Sequence, residues 1–121
     1  MAQRRMLAQT IVESDAFIDM PFSAQALYLH LNMQADDDGF LNNPRKIQRS
    51  IGAEDEDLEL LKRKKFILGF DNGVVVVKHW KINNFIRKDT YNKTKYQEEF
   101  DLLELDENNA YRFRNGTVTE L

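Results

Sequence analysis

The chain has no cysteine, only two prolines and five glycines, and no long apolar run. Without thiols, disulfide staples, thiolate metal sites and thiol catalysis are excluded, which suits a reducing compartment. No stretch approaches the ~20 apolar residues that span a bilayer. Arg4 and Arg5 are followed by no uninterrupted apolar segment, so a secretory leader is not expected. Nor is there a phosphate-cradling glycine loop, a Ser, His and acid arrangement, or a paired-histidine motif: His30 and His79 stand alone. The run Asp36-Asp37-Asp38 lacks the alternate-position spacing of a calcium loop and reads as a turn that ends a helix. Catalysis is not expected, and neither is a tightly bound metal or organic cofactor.

What is present is material for one globular domain. The chain has 121 residues, 42% hydrophobic and 31% charged, and a domain of this size buries roughly 60–70% of its unfolded surface. Its net charge is −3, but the charges are segregated. Residues 41–95 hold 13 Lys/Arg against 7 Asp/Glu; the remainder holds 4 against 13. A positive middle between acidic ends can offer a polyanion-binding face despite the acidic total.

Residues 1–20 read as an arm with a short helical piece, in which Ser14 caps Asp15 to Ile18. Pro21 marks a boundary and Ser23 is the expected cap of a first helix. There Ala24, Leu27, Tyr28, Leu31 and Ala35 form one apolar stripe. Gly39-Phe40-Leu41 follows. Asn43 and Pro44 open a second helix, which Gly52 closes. At 100° per residue its Ile47 and Ile51 lie opposite Arg45 and Arg49, with Lys46 adjacent. A third helix begins near Ala53 or Glu54 with four acids and ends on Lys62, Arg63, Lys64 and Lys65, an arrangement that complements the helix dipole.

Phe66 to Phe70 and Val74 to Ile82 read as two strands joined at Asn72-Gly73 by a type I′ turn. The four valines suggest a strand covered on both faces. Trp80 shares its strand face with Val76 and Ile82 and reads as core. Tyr96, Phe100 and Leu103 at i, i+4 and i+7 predict a C-terminal helix from about Tyr91 to Leu105. The expected fold is α+β: a winged helix-turn-helix over residues 21–107, with a β-hairpin wing and an additional C-terminal helix. Residues 108–121 read as a tail or the cut end of a longer protein.

That order of elements is most often used on DNA, but the charges must decide. The start of the third helix would face base edges in a helix-turn-helix, and here it is acidic. The better phosphate footprint is Arg45, Lys46 and Arg49, supported by Lys62, Arg63, Lys64 and Lys65 and by Lys81, Arg87 and Lys88 beyond the second strand. Lys78, Lys93 and Lys95 extend the positive charge.

Several strings, in order, resemble the N-terminal domain of phage replisome organisers. These are relatives of DnaD-like replication-initiation proteins of low-GC Gram-positive bacteria and their prophages. The strings are Ser14-Asp15-Ala16-Phe17, Met20-Pro21, Gln25-Ala26-Leu27-Tyr28 and Ala35-Asp36-Asp37-Asp38-Gly39-Phe40. Asn43-Pro44, Ile51-Gly52, Lys78-His79-Trp80-Lys81-Ile82-Asn83-Asn84 and Arg87-Lys88-Asp89 continue them. The resemblance covers roughly residues 4–107. It implies a winged helix in the bacterial host cytoplasm that binds double-stranded origin DNA and self-associates as a homo-oligomer. A further region, not present here, would contact the helicase or its loader. No set of base-reading residues carries over. Two other readings stand beside it: an interaction or oligomerisation winged helix, favoured by the acidic third helix and the short acidic-rimmed wing, and a transcriptional regulator.

Overall fold

Ser14 starts a helical turn as its position predicts: its Oγ accepts from the Phe17 amide. The computed structural model describes residues 6–84 and 91–114. Among these the chain is mixed α+β, with seven helices and two small antiparallel sheets. The N-terminal arm packs as two single turns, α1 (Gln9–Val12) and α2 (Asp15–Ile18), and buries Phe17 and Met20. Asn84 and Asn83 hold it down, their Oδ1 atoms accepting from the Met6 and Ala8 amides at 2.7 and 2.8 Å.

Helix α3 (Phe22–Gln34) buries the expected stripe of Ala24, Leu27, Tyr28 and Leu31. Pro21, not Ser23, occupies its N-cap. The two-residue strand β1 (Phe40–Leu41) follows, then α4 (Pro44–Ser50), α5 (Asp55–Arg63), β2 (Ile67–Gly69) and β3 (Val75–Val77). The sheet order is β1-β3-β2, so β3 is central, with Phe40 opposite Val76 and Leu68 opposite Val76 from the other side. All four valines are buried, as a strand covered on both faces requires.

Three expectations need correction. The hairpin loop has three residues, because Phe70 pairs with Val74 through its amide (2.9 Å) while the Gly73 amide closes on the Phe70 carbonyl. Only Gly73 of the loop takes a positive φ (+89°), whereas a type I′ turn needs two such residues. The second strand stops at Val77 rather than Ile82, and Trp80–Asn83 form a helical turn, α6. This turn carries the indole back beneath the Gly39 loop, where Nε1 donates to the Asp37 carbonyl at 2.9 Å; Trp80 is core, but not on a strand.

The long C-terminal helix is absent too. One turn, α7 (Gln97–Phe100), leads into β4 (Leu103–Leu105), which pairs with β5 (Tyr111–Phe113), past the expected domain end at 107. Tyr96 and Phe100 meet Phe40 with ring centroids about 6 Å away, and Leu103 is buried. The spacing that predicts a helix is satisfied by a turn followed by a strand.

The aspartate run does more than end α3. Asp36 Oδ1 accepts from the Asp38 and Phe40 amides, closing the turn. Thr94 donates its hydroxyl to Asp36 and its amide to Asp38, while Asn92 donates its amide to Asp37. Asp38, 1% exposed in its side chain, also takes the Tyr91 hydroxyl at 2.7 Å and pairs with Lys81 at 3.1 Å. Its carbonyl accepts from the Tyr111 hydroxyl. This hub ties residues 91–94, which have no regular secondary structure, to the turn after α3, which is why no helix starts at Tyr91. Burial and then the Asp38 carboxylate push the Tyr91 hydroxyl above its ordinary pKa, so it stays a donor at all physiological pH values.

His79 lies edge-on to Phe66, with its buried Nδ1 lacking a partner among the described residues. Burial, then the neighbouring Lys78, lowers its pKa from 6.5 to about 4. The folded form therefore resists a proton that the unfolded chain accepts. Stability should be complete above pH 6.5 and fall as pH drops toward 4, by on the order of 1–2 kcal/mol after allowing for residual solvent contact. Urea unfolding of wild type and His79→Asn between pH 7 and 4 tests this: the variant's stability should fall less steeply. Parallel pH dependences would refute it.

Candidate nucleic-acid interface

Helix α4 shows its basic side because its apolar side is spoken for. Pro44, Ile47 and Gln48 are buried, and Arg45, Lys46 and Arg49 are exposed. The Gln48 amide donates to the Ala53 carbonyl and to Asp55, which locks the turn between α4 and α5. Gly52, at φ +79°, ends α4, with the Ala53 amide closing on the Gln48 carbonyl.

Helix α5 directs Leu58 and Leu61 inward and leaves Asp55, Glu56, Glu59 and Arg63 exposed. Asp57 turns back to accept from the Glu54 amide at 2.8 Å, satisfying a helix-start donor. At the other end Lys65 takes a positive φ (+65°), and the Phe66 amide reaches the Leu61 carbonyl. Arg63, Lys64 and Lys65 are thus left exposed at the negative end of the helix dipole.

The expected contact residues fall into distinct groups. Arg45 is engaged internally: its guanidinium spans from α4 to α5, with one nitrogen 3.2 Å from Asp55 and another 3.3 Å from Glu59. Asp55 and Glu59 share a face of α5 at i, i+4, a pairing readable in the sequence; that this face lies against Arg45 depends on the tertiary packing. Lys81 is turned to Asp38 and lies 5.8 Å from the Tyr91 ring centre, so it serves the hub rather than the surface. Arg87 and Lys88 lie outside the described residues. Lys62 is half-buried, 3.9 Å from Glu59.

Lys46, Arg49, Arg63, Lys64 and Lys65 have no carboxylate of the described residues within ion-pairing distance and point into solvent. Lys93 and Lys95 add to the charge near the start of α4. A cleft of about 370 Å³ is lined by Gln34, Asn42, Asn43, Asn92 and these two lysines, with Asp36 and Asp37 among its walls. The sequence counts both lysines as extending the positive charge but not as contacts, since the hub that ties residues 91–94 to this position is not visible in it.

Such an arrangement can neutralise phosphates at two places, one face of α4 and the end of α5. It is poorly suited to reading bases with the start of α5, where Asp55, Glu56 and Glu59 would meet a groove flanked by phosphate. Comparison of the chain with protein-family models, with curated proteins and with solved structures returns no match.

Proposed function

We propose that this chain is a winged-helix domain that binds duplex DNA through its phosphates, without enzymatic activity, in phage or prophage replication initiation. The order α3-β1-α4-α5-β2-β3, with β1 and β2 flanking β3, supports the winged-helix reading. The single observation that carries DNA binding is a set of exposed cations that meet no carboxylate among the described residues, Lys46 and Arg49 on α4 and Arg63 to Lys65 at the end of α5, in a chain whose total charge is negative. The ordered resemblance to replisome organisers supplies the replication context, an origin as the DNA, and a helicase-side partner reached through another region. The acids at the start of α5 make affinity electrostatic and sequence discrimination weak.

The Arg45 ion pairs favour a second reading, in which the α4–α5 unit is a protein-docking surface whose acids are its working groups. Neutralising both partners separates the two. The double change Asp55→Asn, Glu59→Gln keeps one acceptor oxygen at each site, releases Arg45 from its charge pairs and removes two negative charges. Exposed pairs of this kind contribute roughly 0–1 kcal/mol, so the fold should persist. Affinity for a duplex, measured by fluorescence anisotropy near 0.1 M salt, should rise up to about tenfold, one added phosphate contact's worth. Loss of binding would mean that the acids make the contact.

Among the described residues no helix is long and apolar enough to cross a membrane.

A further inference from the structure

Helix α3 has two apolar faces. The core stripe occupies one. On the opposite side Phe22, Ala26, Leu29 and Met33 recur at spacings of four, three and four, which at 100° per residue places them within a band about 60° wide. Phe22 is 87% exposed, Met33 59% and Leu29 37%, and Ile18 beside the helix start is 57% exposed. The 13 residues of α3 contain no Asp, Glu, Lys or Arg, although at the chain's 31% charged content about four would be expected. A solvated helix face has no reason to shed its charges; depletion of charge around large apolar side chains marks the centre of an interface.

We propose that this face pairs with the same face of a second copy, as an antiparallel α3–α3 contact about a two-fold axis. This goes beyond DNA binding and stands on the exposure, spacing and missing charge of the face. The spacing is what selects a second copy over an unrelated partner. An axis midway between residues 27 and 28 sets Phe22 against Met33 of the partner subunit and Ala26 against Leu29 of the partner subunit. Every position of the stripe then finds an apolar mate. Ala26 is the notch that admits a leucine, and the flexible Met33 thioether suits an aromatic ring. The 4-3-4 pattern is also the heptad seam of a short antiparallel helix pair, which needs no charge to be matched or buried.

The area is adequate for a reversible dimer. A Phe at this exposure presents most of its 150–250 Å². With Leu29, Met33 and Ile18 each copy offers roughly 500 Å², about 1,000 Å² in all, the lower bound for a specific interface. A contact of this size lies at the weak, reversible end of specific association. Because each copy carries net −3 while the contact is uncharged, added salt screens repulsion and leaves dimerisation unchanged or strengthened. DNA binding responds in the opposite direction.

Sedimentation velocity of the whole chain from 1 to 500 μM tests the proposal. Wild type should pass from monomer to dimer, and Phe22→Gln with Met33→Gln should raise the dimer dissociation constant at least tenfold. Both side chains are exposed, so an unchanged far-ultraviolet dichroism spectrum and unchanged duplex affinity per monomer are expected. A wild-type chain that stays monomeric overturns self-association while leaving the DNA reading intact. A dimer indifferent to the double change overturns the surface. Orientation is read from a mixture of two single variants of this cysteine-free chain, Ala26→Cys and Leu29→Cys, each of which keeps Phe22 and Met33. Oxidation should link position 26 of one copy to position 29 of the other. Links of 26 to 26 and 29 to 29 would mean a parallel pair and refute the axis.

Discussion

Gly39→Ala is expected to unfold most of the protein or to cost about 3–5 kcal/mol in denaturant titration, a large share of the 5–15 kcal/mol that holds a small domain together. Two independent effects combine at this position. Gly39 sits at φ +93°, where a side chain costs on the order of 1–2 kcal/mol. A Cβ there would also lie 2.7 Å from both Cβ and Cγ of Trp80. The indole cannot yield, being fully buried and tethered to the Asp37 carbonyl. Gly73→Ala is the matched comparison: its φ is nearly the same at +89°, but nothing lies within 4 Å of the added carbon. That variant should lose only the backbone strain, about 1–2 kcal/mol. Equal losses at the two positions would show that the Gly39–Trp80 approach contributes nothing.

The second large effect concerns binding rather than stability. Lys46→Ala with Arg49→Ala removes two exposed cations from α4 without touching buried Ile47 or Gln48, so the unfolding midpoint should stay within about 0.5 kcal/mol of wild type. Duplex affinity near 0.1 M salt should fall by roughly 10- to 100-fold, the worth of two phosphate contacts at about 0.9 in the log–log salt slope for each. The fall should be similar on unrelated duplex sequences, because phosphate contacts carry no base information. Arg45→Ala alone should matter less, since Arg45 is already shared between Asp55 and Glu59. A variant that keeps full affinity on every duplex would move the footprint away from α4.

Local signals proved readable where one element fixes its own state. Ser14, Pro44 and Gly52 mark their helix ends because each acts on backbone groups within a few residues, and the inward stripe of α3 follows from its period. Misreadings arise where a distant group decides. Trp80 belongs to a β-rich run by composition, yet the strand ends three residues earlier because the indole must reach Asp37 across 43 positions. Tyr96, Phe100 and Leu103 have helical spacing, yet the Asp36–Asp38 hub ties down the preceding segment through hydrogen bonds from Tyr91, Asn92 and Thr94. Within the candidate interface, exposure of the α4 cations was legible from the opposed isoleucines. The internal engagement of Arg45 and Lys81 was not, since it depends on how α4 meets α5 and where α6 turns.

We propose that a chain of net negative charge binds DNA through a local set of cations that meet no carboxylate among the described residues. This is tested most directly by the affinity of the wild-type chain for a duplex of arbitrary sequence between 0.05 and 0.3 M salt. Log K should fall linearly with log salt, at a slope near −4.5 for about five phosphate contacts. Nearly the same slope is expected on a second, unrelated duplex. No measurable association at the lowest salt, or an affinity indifferent to salt, would contradict it.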